Sequence, residues 1–168
     1  MAAYAQGYRR GAPIRMTPGV LGDEAYGVRT TAADMLRFVQ ANIDASHLDP
    51  VLARAIAATQ TGYFRDGSMT QDLIWEQYPF APALGTLLAG NSGTMILDAT
   101  PVTRIAPPQQ PGGDVWINKT GSTNGFGAYI AFAPRRKLGI VILANENFPI
   151  RERVTIAYSI LTALSQQK

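Results

Sequence analysis

The sequence predicts an α+β fold, an antiparallel β-sheet flanked by helices, in a single domain spanning residues 1–168. Three observations lead there. Two amphipathic helical patterns stand early in the chain, three strongly β-forming segments follow one another between Val115 and Ala144, and one further amphipathic segment closes the chain. Strands that succeed one another across short turns form a meander, whereas parallel strands need long crossovers. There is no internal repeat.

Residues 1–30 are rich in Gly, Pro and Arg without helical period, and read as loop with a short strand. Thr31 precedes Asp34 with capping-box spacing, and Ala32, Met35, Leu36, Val39 and Ile43 recur at helical intervals, which predicts a helix over about 32–43. Asp49-Pro50 supplies an N-cap with proline at the first helical position, opening a second helix over about 50–60 that ends near Gly62. Asp72 to Tyr78, with Ile74, Trp75 and Tyr78, reads as a strand. Residues 79–94 read as loop and Pro101 to Ile105 as a short strand. Pro107, Pro108, Pro111, Gly112 and Gly113 read as a linker too rich in breakers for regular structure. Val115–Thr120, Gly125–Ala133 and Leu138–Ala144 are strands by their β-branched and aromatic content, with a turn at Pro134-Arg135-Arg136-Lys137. Val154, Ile156, Ala157, Ile160, Leu161 and Leu164 recur at helical spacing over about 151–165, a helix expected to lie across the sheet. Trp75 and Trp116 read as core or sheet-packing residues.

Composition excludes several function classes. With 46% apolar and 16% charged residues the chain is ordinary globular material. The net charge of +3 comes from 15 basic against 12 acidic residues that are scattered, so no basic groove for nucleic acid is expected. Absence of cysteine removes disulfides, thiolate metal sites and cysteine nucleophiles. The single histidine, His47, sits in a polar inter-helix segment, which argues against both a histidine metal site and a Ser-His-Asp triad. Asp23-Glu24 reads as loop charge without a carboxylate partner. No apolar run reaches membrane-spanning length, and residues 1–8 lack the basic and apolar regions of a secretory signal. Neither a metal nor an organic cofactor is implied.

The chemistry is carried by Lys119-Thr120-Gly121, at the end of a tryptophan-bearing strand and before the glycine-rich exit Ser122-Thr123-Asn124-Gly125-Phe126-Gly127. A lysine ammonium fixed on a strand edge supplies positive charge beside a nucleophile, favours the deprotonated form of its activating base and attracts an anionic substrate. The threonine hydroxyl can bond a substrate carboxylate, and glycine leaves room for a substrate backbone alongside the strand. A backbone N–H just beyond can form half of an oxyanion hole.

Here a resemblance becomes specific. The Lys-Thr-Gly triplet occurs in β-lactamases and penicillin-binding proteins. The run Asn118 to Tyr129, the run Leu143-Ala144-Asn145-Glu146-Asn147-Phe148-Pro149 and Tyr26-Gly27-Val28 all resemble the C-terminal portion of class C serine β-lactamases, and the similarity covers about Tyr4 to Leu164. The resemblance implies a partial serine β-lactamase or DD-peptidase-like fold. It places Lys119 by the nucleophile and the tyrosine base, Thr120 at the substrate carboxylate, and Ser122 at the oxyanion hole and the substrate amide. Gly121 would give the substrate room, and Tyr26 would line the pocket or pack structurally. Asn147 and Arg153 would sit near the carboxylate-binding end or cap the last helix. Many relatives carry asparagine where this chain has Ile150, which puts that carboxylate contact in doubt.

The family's nucleophile motif S-x-x-K and base motif Y-x-N lie before the matched region. No tyrosine here is followed two residues on by asparagine, and the single S-x-x-K is Ser165-Gln166-Gln167-Lys168, in a polar tail that cannot hold a nucleophile in place. The chain is therefore expected to be inactive alone. It would bind a β-lactam small molecule, with the missing N-terminal fragment docking onto it or with self-association covering exposed edges. Rival readings are a penicillin-binding protein or D-Ala-D-Ala peptidase of the same fold, a related esterase, and a non-catalytic fragment or scaffold. The parent family is periplasmic; these residues carry no signal peptide of their own.

Overall fold

A computed structural model describes residues 4–15, 20–22 and 27–167. The chain opens with a small hairpin, β1 (Gly7–Arg9) and β2 (Ala12–Ile14). Helices α1 (Ala32–Ile43) and α2 (Pro50–Thr59) follow. Both start where capping requires: the Thr31 side chain accepts from the Asp34 N–H, and the Asp49 side chain accepts from the Val51 N–H. Next come β3 (Gly62–Asp66), β4 (Met69–Asp72) and β5 (Glu76–Pro79), then α3 (Leu84–Gly90) and α4 (Gly93–Leu97). The last third holds β6 (Thr103–Gln109), β7 (Val115–Thr123), β8 (Phe126–Ala133), β9 (Leu138–Ala144) and α5 (Ile150–Ser165).

Seven strands form one sheet in the order β6-β3-β4-β5-β7-β8-β9, with every neighbouring pair antiparallel. Side chains alternate across it with period two. Val115, Ile117 and Phe132 face one side with Trp75 and pack under Val39 and Ile43 of α1. Trp116, Tyr129 and Ala131 face the other and pack under Val154, Ala157 and Leu161 of α5. The central strands are thus covered on both faces. Trp75 meets Phe132 edge-on at 5.1 Å, and both tryptophans are buried, as the sequence suggested.

Three expectations fail for identifiable reasons. Asp72 to Tyr78 is not one strand. The Asp72 N–H bonds back to the Trp75 carbonyl, so the chain reverses at the exposed Leu73 and Ile74. Residues 79–94 are not loop, because α3 and the start of α4 lie there. α3 lacks a side-chain cap and is held by packing instead: Leu87 is buried against the α5 side, and a Cβ on Gly90 would collide with Tyr78 Oη. The proline-rich linker is strand β6 over part of its length. It sits at the sheet edge, where a missing N–H costs no ladder bond, and its register against β3 slips between Gly62 and Phe64. β3 itself, and the second strand of the initial hairpin, carried no strand signal.

Asp72 at the end of β4 is 2% exposed and neither carboxylate oxygen has a hydrogen-bond partner. Burial pushes its carboxyl up to about 8, from an ordinary value of 3.8. Between those values the unfolded chain has released a proton that the folded chain keeps, so stability falls as pH rises through this window. Asp72→Asn removes the dependence. Its melting temperature is expected to match the parent near pH 4 and to exceed it by a growing margin up to pH 8; parallel melting curves across that range would refute the assignment.

Candidate active site at the free edge of β7

Strand β7 is paired on both sides over only part of its length. β5 lies against Val115 to Asn118 and stops at Glu76, whereas β8 accompanies β7 from Ile117 to Thr123. Among the described residues no strand therefore lies against the outer edge of Lys119 to Thr123. The Lys-Thr-Gly triplet begins one residue past the point where β5 ends. Gly121 and Ser122 are exposed there and Thr120 is half-buried. A Cβ at Gly121 would meet nothing nearer than Ala128 Cβ at 3.8 Å, so internal packing does not demand glycine at this position.

Lys119 stands at the boundary between paired and free edge. Its Nζ lies 2.6 Å from Glu76 Oε1, with side-chain exposures of 42% for the lysine and 11% for the glutamate. Glu76 is held in turn. Asn118 Nδ2 donates to the Glu76 carbonyl at 3.0 Å and lies 3.4 Å from Oε2. Glu76 and Asn118 drew no role from the sequence. Only the cross-strand register, which sets Glu76 opposite Asn118, brings the acid to the lysine.

Arg153, in the first turn of α5, is 1% exposed and lies against the β7–β8 pair. Its Nη1 donates to the Gly121 carbonyl at 2.7 Å and to the Ala128 carbonyl, which belong to one opposed residue pair, so the guanidinium clamps the two strands together. Nη2 donates to Ser122 Oγ at 2.8 Å, which leaves the Ser122 hydroxyl proton free for an external acceptor. No ion pair among the described residues involves Arg153, and burial lowers its pKa. A Cβ on Gly127 would press on the guanidinium at 3.1 Å, so glycine there makes room for it.

Asn147 ties the far end of the hairpin: its Oδ1 accepts from the Gly125 N–H at 3.0 Å and its Nδ2 donates to the Thr123 carbonyl at 3.3 Å. Gly125 itself adopts φ +86°, a conformation that favours glycine. The β1–β2 hairpin docks beside this turn, with the Tyr8 N–H 2.8 Å from the Asn145 carbonyl. Ile150 is packed against the α5-side core and offers no polar contact. Tyr26 and Lys168 lie outside the described residues. Ser165 ends α5 with its hydroxyl bonded to the Thr162 carbonyl at 2.8 Å, and His47 is exposed between α1 and α2. Among the described residues no group of three or more His, Cys, Asp and Glu could hold a metal ion, and no helix is long and apolar enough to cross a membrane.

The described residues thus form a helix-flanked antiparallel sheet with Lys-Thr-Gly on a stretch of strand edge that none of the other described strands covers. The β-lactamase family model matches residues 1–165, and the chain belongs to that family. It is 49% identical over 162 residues to a β-lactamase of Lysobacter lactamgenus, covering 96% of this chain and 42% of that protein. A D-alanine carboxypeptidase AmpC from Burkholderia cenocepacia superimposes with a TM-score of 0.93 at 61% identity, covering 97% of this chain and 47% of the other. A class C β-lactamase in complex with cefoxitin superimposes with a TM-score of 0.87 at 50% identity, covering 97% and 46%. The chain therefore spans under half the length of these relatives.

Replacing Arg153 by lysine keeps the charge but cannot serve both carbonyls and Ser122 at once. Arg153→Lys is expected to destabilise the chain by about 1–3 kcal/mol in denaturant unfolding, the cost of one stranded buried acceptor. An unchanged midpoint would show that the clamp contributes nothing.

Proposed function

We propose that this chain is the substrate-cradling part of a class C serine β-lactamase, with the nucleophilic serine and its base supplied by residues outside these 168. The observation that carries the reading is the free edge of β7 from Lys119 to Thr123, which leaves strand-like main chain and the Lys-Thr-Gly side chains open to a ligand. Family membership and the relative solved with cefoxitin support a β-lactam as that ligand. In the proposed reaction the serine oxygen attacks the lactam carbonyl, the carbon–nitrogen bond breaks and the ring nitrogen takes a proton. Water then cleaves the acyl ester and releases the serine. Acyl transfer of this kind needs no metal or organic cofactor.

Lys119 supplies positive charge beside the nucleophile, Thr120 meets the substrate carboxylate, and the Ser122 N–H is half of the oxyanion hole. Arg153 and Asn147 act at one remove, since their polar atoms hold β7, β8 and the turn between them. The other half of the fold packs on exposed apolar surface, of which Ile156, Ile160 and Leu164 on α5 form one stripe. The mature protein works in the periplasm. A second reading, D-alanine carboxypeptidase, is favoured by the Burkholderia relative, a D-alanine carboxypeptidase AmpC 61% identical to this chain; it uses the same acylation and differs in the rate at which the acyl-enzyme is cleared.

Intact-mass spectrometry with a slowly deacylating β-lactam tests the proposal. No adduct is expected on the chain alone, and one stoichiometric adduct is expected on the serine of an added N-terminal segment carrying S-x-x-K and Y-x-N. An adduct on one of the chain's own serines would overturn the division of labour. In the reconstituted protein Lys119→Met should lower acylation about 10²–10⁴-fold. Gly121→Ala should raise the melting temperature slightly, because the added methyl meets nothing nearer than Ala128 Cβ at 3.8 Å, while weakening β-lactam binding.

A further inference from the structure

Behind Lys119 runs a buried hydrogen-bond chain that the reaction itself does not require. Tyr129 Oη, on β8, donates to Asn118 Oδ1 at 2.7 Å, and Asn91 Nδ2, at the end of α3, lies 3.2 Å from the same oxygen. Tyr129 and Asn118 are fully buried and Asn91 is nearly so. Backbone carbonyls fix the polarity of the chain at both ends, since a carbonyl can only accept. Asn91 Nδ2 donates to the Leu87 carbonyl at 2.9 Å, so a donor faces Asn118, and the Asn118 atom it meets is the oxygen. Asn118 Nδ2 must then point the other way, where it meets the Glu76 carbonyl at 3.0 Å and Oε2 at 3.4 Å. The remaining Glu76 oxygen receives Lys119 Nζ at 2.6 Å.

We propose that Tyr129 and Asn91 are positioning residues for Lys119, acting through the Asn118 amide and the Glu76 carboxylate. Without its two donors the Asn118 amide is free to rotate, and a rotated amide presents its oxygen to Glu76, repelling the carboxylate that holds the lysine. Burial raises the Tyr129 pKa strongly, so its hydroxyl stays a donor at every working pH. Lys119 itself remains partly open to solvent, and its side chain has flexible bonds that only the Glu76 contact restrains among the described residues. The catalytic significance of this arrangement rests on the function proposed above; the positioning itself does not.

The chain has three lysines, Lys119, Lys137 and Lys168, so their side-chain ammonium signals can be assigned by nitrogen-15 NMR. Hydrogen exchange of the Lys119 ammonium is the readout. Tyr129→Phe keeps the ring and removes only the hydroxyl, and is expected to speed Lys119 exchange about threefold to tenfold, the effect of one hydrogen bond, while leaving Lys137 unchanged. Glu76→Gln should speed it at least as much, and Tyr129→Phe added to Glu76→Gln should change nothing further. If Tyr129→Phe fails to melt cooperatively, Asn91→Leu removes the other donor without touching the tyrosine and carries the same expectation. A folded variant with parental Lys119 exchange would overturn the proposal. So would an effect of equal size in the Glu76→Gln background, which would mean a general loosening of the sheet. In the reconstituted protein the same substitution should lower the acylation rate constant about threefold to tenfold with KM unchanged. A changed exchange rate with no acylation in any variant would leave the positioning intact and sink the functional reading instead.

Discussion

The early end of β5 is the constraint on which the rest depends. β7 is a central strand, buried on both faces up to Asn118 and paired on both edges at Ile117 and Asn118, until β5 stops there. Every residue before that point is committed to the core, and every residue after it has one edge available. A strand that changes from interior to edge within its own length gives a site two properties that otherwise conflict. The backbone is rigid, because half of it is locked in a sheet, and it still has unused main-chain groups to offer a ligand. The cost of an exposed edge is limited by its shortness and by the cation at its start.

Two cations serve this edge in opposite ways. Lys119 is partly exposed, is matched to a carboxylate at 2.6 Å and stands where a ligand can reach it. Arg153 is buried with no carboxylate among the described residues and spends its donors on carbonyls and a hydroxyl. A compact ammonium suits the first position, because it can meet a ligand as a point charge. A planar fork suits the second, because several fixed acceptors must be met at once. The positive charge of Arg153 is still felt at Ser122, whose oxygen it holds, so the hydroxyl facing outward is polarised towards an anion.

How much of this was legible in the sequence depended on where the determining interaction lay. α1 and α2 were legible because Thr31 and Asp49 cap them locally. β7, β8, β9 and α5 were legible because their apolar residues repeat at the period of their own element. Lys119 to Ser122 were legible as a motif. The turn at Leu73-Ile74, the helix α3 and the edge strand β6 were not, because each leans on a partner distant in sequence: the Thr61 and Thr59 carbonyls that accept from Leu73 and Ile74, the Tyr78 hydroxyl and the slipped pairing with β3. The same holds at the site. Glu76 lies 43 residues from Lys119 and Asn91 lies 27 from Asn118, and no local pattern points from one to the other. Arg153 was legible as a residue but not as a buried clamp, since burial of an arginine follows from Gly127 leaving space above β8.

Glycine usage separates what the fold requires from what a ligand requires. At Gly90 and Gly127 an added Cβ would strike Tyr78 or Arg153, so the fold alone accounts for glycine there, as the left-handed backbone does at Gly125. Gly121 has neither reason. It lies in a regular strand, and an added Cβ, standing off a face of the sheet, would meet nothing nearer than Ala128 Cβ at 3.8 Å. Glycine in a strand interior weakens the strand by roughly 0.5–1 kcal/mol relative to alanine, a cost that nothing within these residues offsets. On the function proposed above, glycine here serves a ligand whose backbone lies along the edge that begins at Lys119, since no contact among the described residues demands it.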